Sequence, residues 1–369
     1  MKYYILVGEA SGDLHGANLM KALLKEDPSA EIRFWGGDLM QEVGGTLVKH
    51  YKERAFMGFI EVLMNLRKIV GMLSFCKKDI AKFKPDVLIL IDNSGFNLRI
   101  AKWAKEHNFK TNYYISPQVW ASRAGRVKDI KRDVDAMFVI LPFEKDFYQK
   151  YNYDVHFVGH PLIDGIAGRK QVDEIAFRKQ HDLGGKEIIV LLPGSRKQEI
   201  TKMLSVMLSL VADFSNYQFV IAGAPSQPYE FYQEFIGDKN VKFINNKTYD
   251  LLSISHVALV ASGTATLETA LFKVPQVVCY KGSNISYQIA KRIITLKYIS
   301  LVNLIMDKEV VTELIQNDFT KVNLTNELNR ILKPVHREEL FLSYFDLEQK
   351  LGGKGASEKT AKLIVNGLQ

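Results

Sequence analysis

Short, near-continuous apolar runs alternate with stretches of helical periodicity along most of this chain. The runs at 3–7, 31–35, 87–91, 111–115, 136–140 and 155–158 form a first series. Those at 188–192, 218–222, 241–244, 257–260 and 276–279 form a second. Strands that are apolar throughout and spaced by helices belong to parallel sheets covered on both faces. The pattern therefore predicts an α/β chain with two Rossmann-like halves of the same architecture and unrelated sequence. The series breaks at 159–169, where Gly159, Pro161, Gly165 and Gly168 cluster. Beyond Leu324 the periodicity is helical, over 324–332, 337–350 and 357–368. Gly352, Gly353 and Gly355 separate the last two. The expected domains are 1–163 and 164–345. A terminal helix within 346–369 could cross back to the first domain or reach a partner chain.

Composition narrows the class. The chain has 369 residues, 47% of them hydrophobic and 24% charged, which is ordinary for a globular protein of two domains. Two cysteines, Cys76 and Cys279, give no disulfide framework and suit a reducing compartment. The opening apolar run is too short for a signal peptide, and no run reaches the length of a membrane span. A net charge of +8 points to nucleic acid, an anionic membrane surface or a phosphorylated substrate. No basic block with interleaved aromatics is present, which puts nucleic acid below the other two.

The candidate chemistry sits where strands end. The run from Gly8 to Gly16 follows the first strand, in the turn expected before a helix at 18–25, where open α/β sheets bind ligands. It carries Glu9, Ser11, Asp13 and His15, with Gly8, Gly12 and Gly16 expected to keep the backbone open. Asp92 closes the apolar strand 87–91. It is either a helix cap or, with Glu9 on the same sheet edge, a general base for a hydroxyl. In the second half, Ser262, Gly263 and Thr264 form a small-residue turn before a helix that carries Glu268. That turn is equally an anion site or an ordinary capped helix. Arg196, after Pro193-Gly194-Ser195, suits bidentate phosphate binding, while Lys197 reads as solvated.

Other features are less specific. The segment from Ile115 to Ala121, including Ser116, either lines a sugar or lipid pocket or is packing. His160 at the junction reads as a hydrogen-bonding residue, and neither it nor His15 has metal-ligand spacing. Phe59, Val62, Leu63, Leu66, Ile69, Val70 and Leu73 follow helical spacing beside Arg67 and Lys68. Such a stripe is either core or a face that docks on an anionic bilayer.

Several motifs, taken in order, resemble one family. Two parallel α/β halves with a phosphate-type turn in the second resemble GT-B glycosyltransferases, whose two Rossmann-like domains face a central cleft. Gly8-Glu9-Ala10-Ser11-Gly12-Asp13, Ile115-Ser116-Pro117-Gln118-Val119-Trp120-Ala121 and Leu141-Pro142-Phe143-Glu144-Lys145 are similar to motifs of the lipid-A-disaccharide synthases. So are Leu192-Pro193-Gly194-Ser195-Arg196, Ala261-Ser262-Gly263-Thr264-Ala265 with Glu268, and Ser300-Leu301-Val302-Asn303-Leu304. The ordered set spans roughly residues 4 to 315.

The resemblance implies transfer of a diacylglucosamine unit from UDP-diacylglucosamine to the 6-hydroxyl of diacylglucosamine 1-phosphate, with inversion and release of UDP. It implies no cofactor and no metal. Asp92 would be the base, with Glu9 as second choice or partner. Arg196, Ser262, Gly263, Thr264, Glu268 and Asn303 would bind the UDP-sugar. Ser11, Gly12, Asp13 and Ser116 would lie on the acceptor side. The Phe59-to-Leu73 stripe matches the family's membrane-associating region, which implies a cytoplasmic protein on the inner face of the inner membrane; a homodimer stays open. One departure is plain. Where the family pattern has a second acid after Asp92, this chain reads Asn93-Ser94-Gly95-Phe96-Asn97. The alternatives are a UDP-sugar epimerase, a transferase to another lipid acceptor, or a lipid-sugar carrier without turnover.

Overall fold

The computed structural model describes residues 1–54, 66–283 and 297–368. The chain divides into two compact units, Met1–Gly168 with Leu351–Gln369, and Arg169–Lys350. The boundaries therefore fall after Gly168 and Lys350, where the sequence pattern placed them after 163 and 345.

In the first unit the described strands are β1 (Lys2–Leu6), β2 (Glu31–Gly36), β3 (Thr46–His50), β4 (Val87–Ile91), β5 (Thr111–Tyr114), β6 (Ala136–Val139) and β7 (His156–Phe157). They pair in parallel in the order 3-2-1-4-5-6-7. Alternate side chains feed two cores. Tyr4, Leu6, Leu88, Leu90 and Tyr113 face one; Tyr3, Ile5, Val7, Ile89 and Tyr114 face the other. With apolar residues needed on both faces, the strands read as continuous hydrophobic runs.

The second unit repeats the plan. Its described strands are β8 (Ile188–Leu192), β9 (Gln218–Gly223), β10 (Val241–Asn245), β11 (Val257–Ala261), β12 (Gln276–Tyr280) and β13 (Glu313–Ile315). The order 10-9-8-11-12-13 is the first six strands' order over again. β3 and β13 escaped the sequence reading. β3 is a half-buried edge strand with Lys49 and His50 in it, and β13 is three residues long. Neither leaves an apolar run.

The last helix, Ala356–Asn366, packs in the first unit against the first helix, Ala10–Glu26. Ile364 and Val365 join the core of Leu19, Met20 and Leu23, each burial being worth about 1.5–3 kcal/mol. Asp164 accepts hydrogen bonds from the backbone N–H groups of Gly355 (2.7 Å) and Ser357 (3.1 Å), capping that helix from the junction. Lys25 pairs with Glu358 at 3.0 Å.

The first helix begins at Ala10, not near residue 18, so Ser11 through Gly16 are helical. Two of the glycines are there for close approach rather than for an open backbone. A Cβ on Gly16 would meet Met40 Sδ at 2.6 Å, and one on Gly12 would meet Val7 Cβ at 3.1 Å.

His15 and His160 are both buried. His160 Nδ1 accepts from the Leu162 N–H at 3.2 Å and so caps the next helix. His15 Nδ1 has no partner among the described residues. Burial lowers His15 to a pKa of about 4 and His160 to about 3, the latter helped by the neighbouring His15. Above about pH 6.5 both are neutral folded or unfolded. Below it the unfolded chain takes up protons that the folded chain refuses, so stability falls towards pH 4. A His15→Gln/His160→Asn variant should show a flatter fall in urea midpoint between about pH 6.5 and 4 than the wild type.

Candidate active site

In each unit the chain leaves two adjacent central strands in opposite directions, β1 and β4 in the first, β8 and β11 in the second. Ligands bind outside the carboxyl ends of strands at such switch points. Of the residues marked by the sequence, Glu9, Asp92, Arg196 and the turn of Ser262, Gly263 and Thr264 follow these four strand ends, whereas Ser116 follows β5 and Asn303 lies in helix Leu301–Met306.

At the first switch point, Glu9 is the exposed N-cap residue of the first helix, with no side-chain capping bond. Asp92 and Asn93 follow β4, and both have φ of +47°. Ile115, at the end of neighbouring β5, has φ of +64° although it is β-branched. Non-glycine residues held in this left-handed region cost of order 1–3 kcal/mol each, and such strain clusters at functional sites. The Gly8 and Asn93 loops touch closely, since a Cβ on Gly8 would lie 2.3 Å from Asn93 Nδ2.

Asn97 holds this strained turn from beneath. It is fully buried, and its Nδ2 donates to the carbonyls of Asp92 (2.9 Å), Ile91 (3.1 Å) and Leu6 (3.4 Å). Tyr113 Oη donates to the Asp92 carbonyl at 2.5 Å. The Asp92 carboxyl is raised above its ordinary value. Loss of hydration is the larger cause and the negative charge of Glu9 adds to it, against the Asn93 N–H that stabilises the anion.

At the second switch point, Arg196 is the N-cap residue of helix Lys197–Leu208. Its guanidinium is largely exposed, with Glu199 at 3.3 Å as a loose partner that contributes little in solvent. Gly263 is the N-cap residue of helix Thr264–Leu271, with no side-chain cap and open space around its Cα. Gly263 and Thr264 are exposed. Ser262 Oγ instead donates inward, to the Ile299 carbonyl at 3.0 Å. Glu268 is half-buried and accepts from Tyr249 Oη at 2.6 Å, and burial raises its carboxyl.

Three expected contacts are otherwise engaged. Asp13 is buried, and its carboxylate accepts from the N–H groups of Gly37 (2.7 Å), Leu39 (3.0 Å) and Met40 (3.2 Å). It anchors the loop after β2. Ser116 is buried, with its Oγ 2.6 Å from Tyr148 Oη. Asn303 is also buried. Its Nδ2 donates to the Val311 carbonyl and to Glu313, and its Oδ1 accepts from Val310 and Val311. No polar atom of that amide is left for a ligand, so Asn303 positions the chain instead. Glu313 further accepts from the Ile299 and Ser300 N–H groups, each at 2.9 Å. Glu313 and Asn303 thereby fix the segment that Ser262 Oγ reaches.

Of the expected membrane stripe, Phe59, Val62 and Leu63 lie outside the described residues. Helix Leu66–Phe83 buries Met72, Cys76 and Ile80 against the core, leaves Ile69 half-buried, and exposes Val70 and Phe75. Arg67 and Lys68 are exposed beside Val70. No helix among the described residues is long and apolar enough to cross a membrane.

Sequence reasoning missed Asn97, Tyr113, Tyr249 and Glu313. Asn97 had one legible signal, its place in the first turn and a half of the helix after Asp92. The tyrosines and Glu313 come from distant segments, which spacing does not connect.

The repeated strand order and the loops at both switch points define a two-unit α/β protein of the GT-B type. Solved structures of this fold include UDP-GlcNAc 2-epimerase from Neisseria meningitidis bound to UDP-GlcNAc, at TM-score 0.67 and 14% identity over 100% of this chain and 99% of that one. A glycosyltransferase from Rickettsia africae matches at TM-score 0.59 and 12% identity over 100% and 98%. At these identities the likeness is one of fold alone. The profile of the Lipid-A-disaccharide synthetase family matches residues 3–361, and the chain belongs to that family. The lipid-A-disaccharide synthase of Syntrophus aciditrophicus is 40% identical over 98% of this chain and 96% of its own length. That of Geobacter metallireducens is 38% identical over 99% and 96%.

Asn97→Ala should leave Asp92 free to relax from its strained conformation. The expected outcome is a loss of roughly 1–3 kcal/mol of stability with a fall in kcat at nearly unchanged KM, read from steady-state kinetics beside a denaturant titration.

Proposed function

We propose that this chain is an inverting glycosyltransferase that condenses UDP-2,3-diacylglucosamine with 2,3-diacylglucosamine 1-phosphate. The products are the β-1,6-linked disaccharide 1-phosphate and UDP. Family membership supports the reaction. The observation that carries the mechanism is Asp92, held in a strained conformation at the first switch point with a raised carboxyl beside Glu9.

In this reading Asp92 takes the proton of the acceptor 6-hydroxyl. The freed oxygen attacks the donor anomeric carbon from the face opposite UDP. The bond from that carbon to the β-phosphate oxygen breaks, and UDP leaves with the electron pair. A carboxylate whose pKa lies nearer to neutrality is a stronger base than an ordinary one. Glu9 tunes it by repulsion, and the exposed Ser11 lines the acceptor side, while Gly12 packs on Val7. On the second unit, Arg196 and the exposed N–H groups of Gly263 and Thr264 bind the diphosphate that leaves. Ser262 supports that turn, and Glu268 uses the oxygen not engaged by Tyr249 to hold a ribose hydroxyl. Both substrates carry acyl chains, so the exposed Val70 meets the cytoplasmic surface of the inner membrane, with Arg67 and Lys68 on its anionic headgroups.

Incubation with both substrates should release UDP only when both are present and give a product of summed sugar mass. An equal-mass isomer of the donor would instead mark an epimerase. Asp92→Asn should lower kcat by about 10²–10⁴-fold.

The acid limb of the kcat/KM profile reports the free enzyme's base. Its midpoint should lie above the ordinary carboxylate value of about 4. Glu9→Gln removes a neighbouring negative charge, so the limb should move to lower pH while turnover persists. Complete loss of turnover in Glu9→Gln, with Asp92→Asn active, would transfer the base role to Glu9.

A further inference from the structure

A groove of about 350 Å³ lies on the first unit between helix Ser94–Glu106 and helix Val127–Asp133. Its lining starts at Ser94 and Gly95, the residues immediately after the Asp92–Asn93 turn, and carries Arg99, Lys102, Arg126 and Arg132. Leu98 and Ile130 are its apolar residues.

The charges in the groove are unequally satisfied. Its two carboxylates are both committed to Arg132. Asp133 takes Arg132 Nε and Nη2 at 2.6 and 2.7 Å, and Asp129 takes Nη1 at 3.1 Å. Among the described residues, Arg99, Lys102 and Arg126 have no carboxylate partner. Arg99 folds back so that its Nη1 donates to the Gly95 carbonyl at 3.0 Å. That bond places a guanidinium, whose other donors have no partner among the described residues, on the first turn after Asp92. Three uncompensated cations around a concave surface raise the local concentration of an anion. Guanidinium groups match a phosphate monoester in particular, through paired charge-assisted donors.

We propose that Arg99 and Arg126 bind the anomeric phosphate of the acceptor sugar. This rests on the reading of Asp92 as the base for the acceptor hydroxyl. The diphosphate of the donor has its own cation and helix terminus on the second unit, so the first unit's unpaired arginines serve the other phosphate in the reaction. They hold the acceptor by the end remote from its reacting hydroxyl and give the enzyme its choice of a phosphorylated acceptor.

The test uses the full chain and two measurements. Glucosamine 1-phosphate and glucosamine are titrated onto the wild type and onto Arg99→Gln/Arg126→Gln, without donor. The wild type should bind the phosphate ester and not the free sugar, and the double variant should bind it about tenfold or more weakly, the loss of charged hydrogen bonds. In turnover, the ratio of kcat/KM for diacylglucosamine 1-phosphate over the same acceptor lacking the phosphate should collapse in the double variant and recover in part in Arg99→Lys/Arg126→Lys. An unchanged ratio, or glucosamine 1-phosphate binding equal in both proteins, would overturn the assignment. So would a variant that keeps the ratio but loses binding to phosphatidylglycerol vesicles, since the groove would then hold a lipid headgroup. A wild type that binds glucosamine 1-phosphate but forms no disaccharide would defeat the proposed reaction and leave the phosphate site standing.

Discussion

The hydrogen bonds of one buried amide hold the first unit's working edge together. Asn97 Nδ2 reaches the carbonyl of Leu6 at the end of β1 and those of Ile91 and Asp92 at the end of β4. Strands in a parallel sheet are held along their length by the ladder, but the ladder stops where the chain diverges at the switch point. There the last carbonyls need other donors, because a buried unpaired carbonyl is costly. A side chain that supplies them fixes the geometry of the loop as well as satisfying it. The left-handed conformation of Asp92 and the contact between Gly8 and Asn93 both depend on that fixation.

The second unit solves the same problem with different residues. There Glu313 and Asn303 satisfy the backbone of 299–300 and 310–311, and Ser262 Oγ reaches the Ile299 carbonyl. A small-residue turn with no side-chain cap is thereby buttressed from below while Gly263 and Thr264 stay exposed. The two sites differ in electrostatics accordingly. The first gathers carboxylates, with Glu9 raising Asp92. The second offers donors and an exposed guanidinium, with one carboxylate set back against Tyr249.

Much of this was legible along the chain. Eleven apolar runs marked eleven strands because both faces of each sheet are buried, which forces a continuous hydrophobic signal. The strand ends carried Glu9, Asp92, Arg196, Ser262 and Glu268 in view because polar residues at the close of such runs stand out. Asp13 stood out for the same reason, Ser116 as part of an irregular apolar segment and Asn303 only through a family motif, and in all three the polarity serves the fold. A side chain that satisfies a loop and one that meets a ligand have the same composition. What separates them is whether their hydrogen-bonding atoms are already taken, and that is a property of contacts, not of spacing.

The sequence by itself determined the class of fold, the two-part plan and the strand ends where chemistry belongs, since these follow from local periodicity and polarity. Tertiary structure alone decided the start of the first helix at Ala10, with Gly12 and Gly16 chosen for what packs against them. It also decided the return of the last helix to the first unit, the strain at Asp92 and Ile115, and the unpaired arginines behind Asp92. Each of these depends on which distant segments meet, and no window of the chain contains both partners.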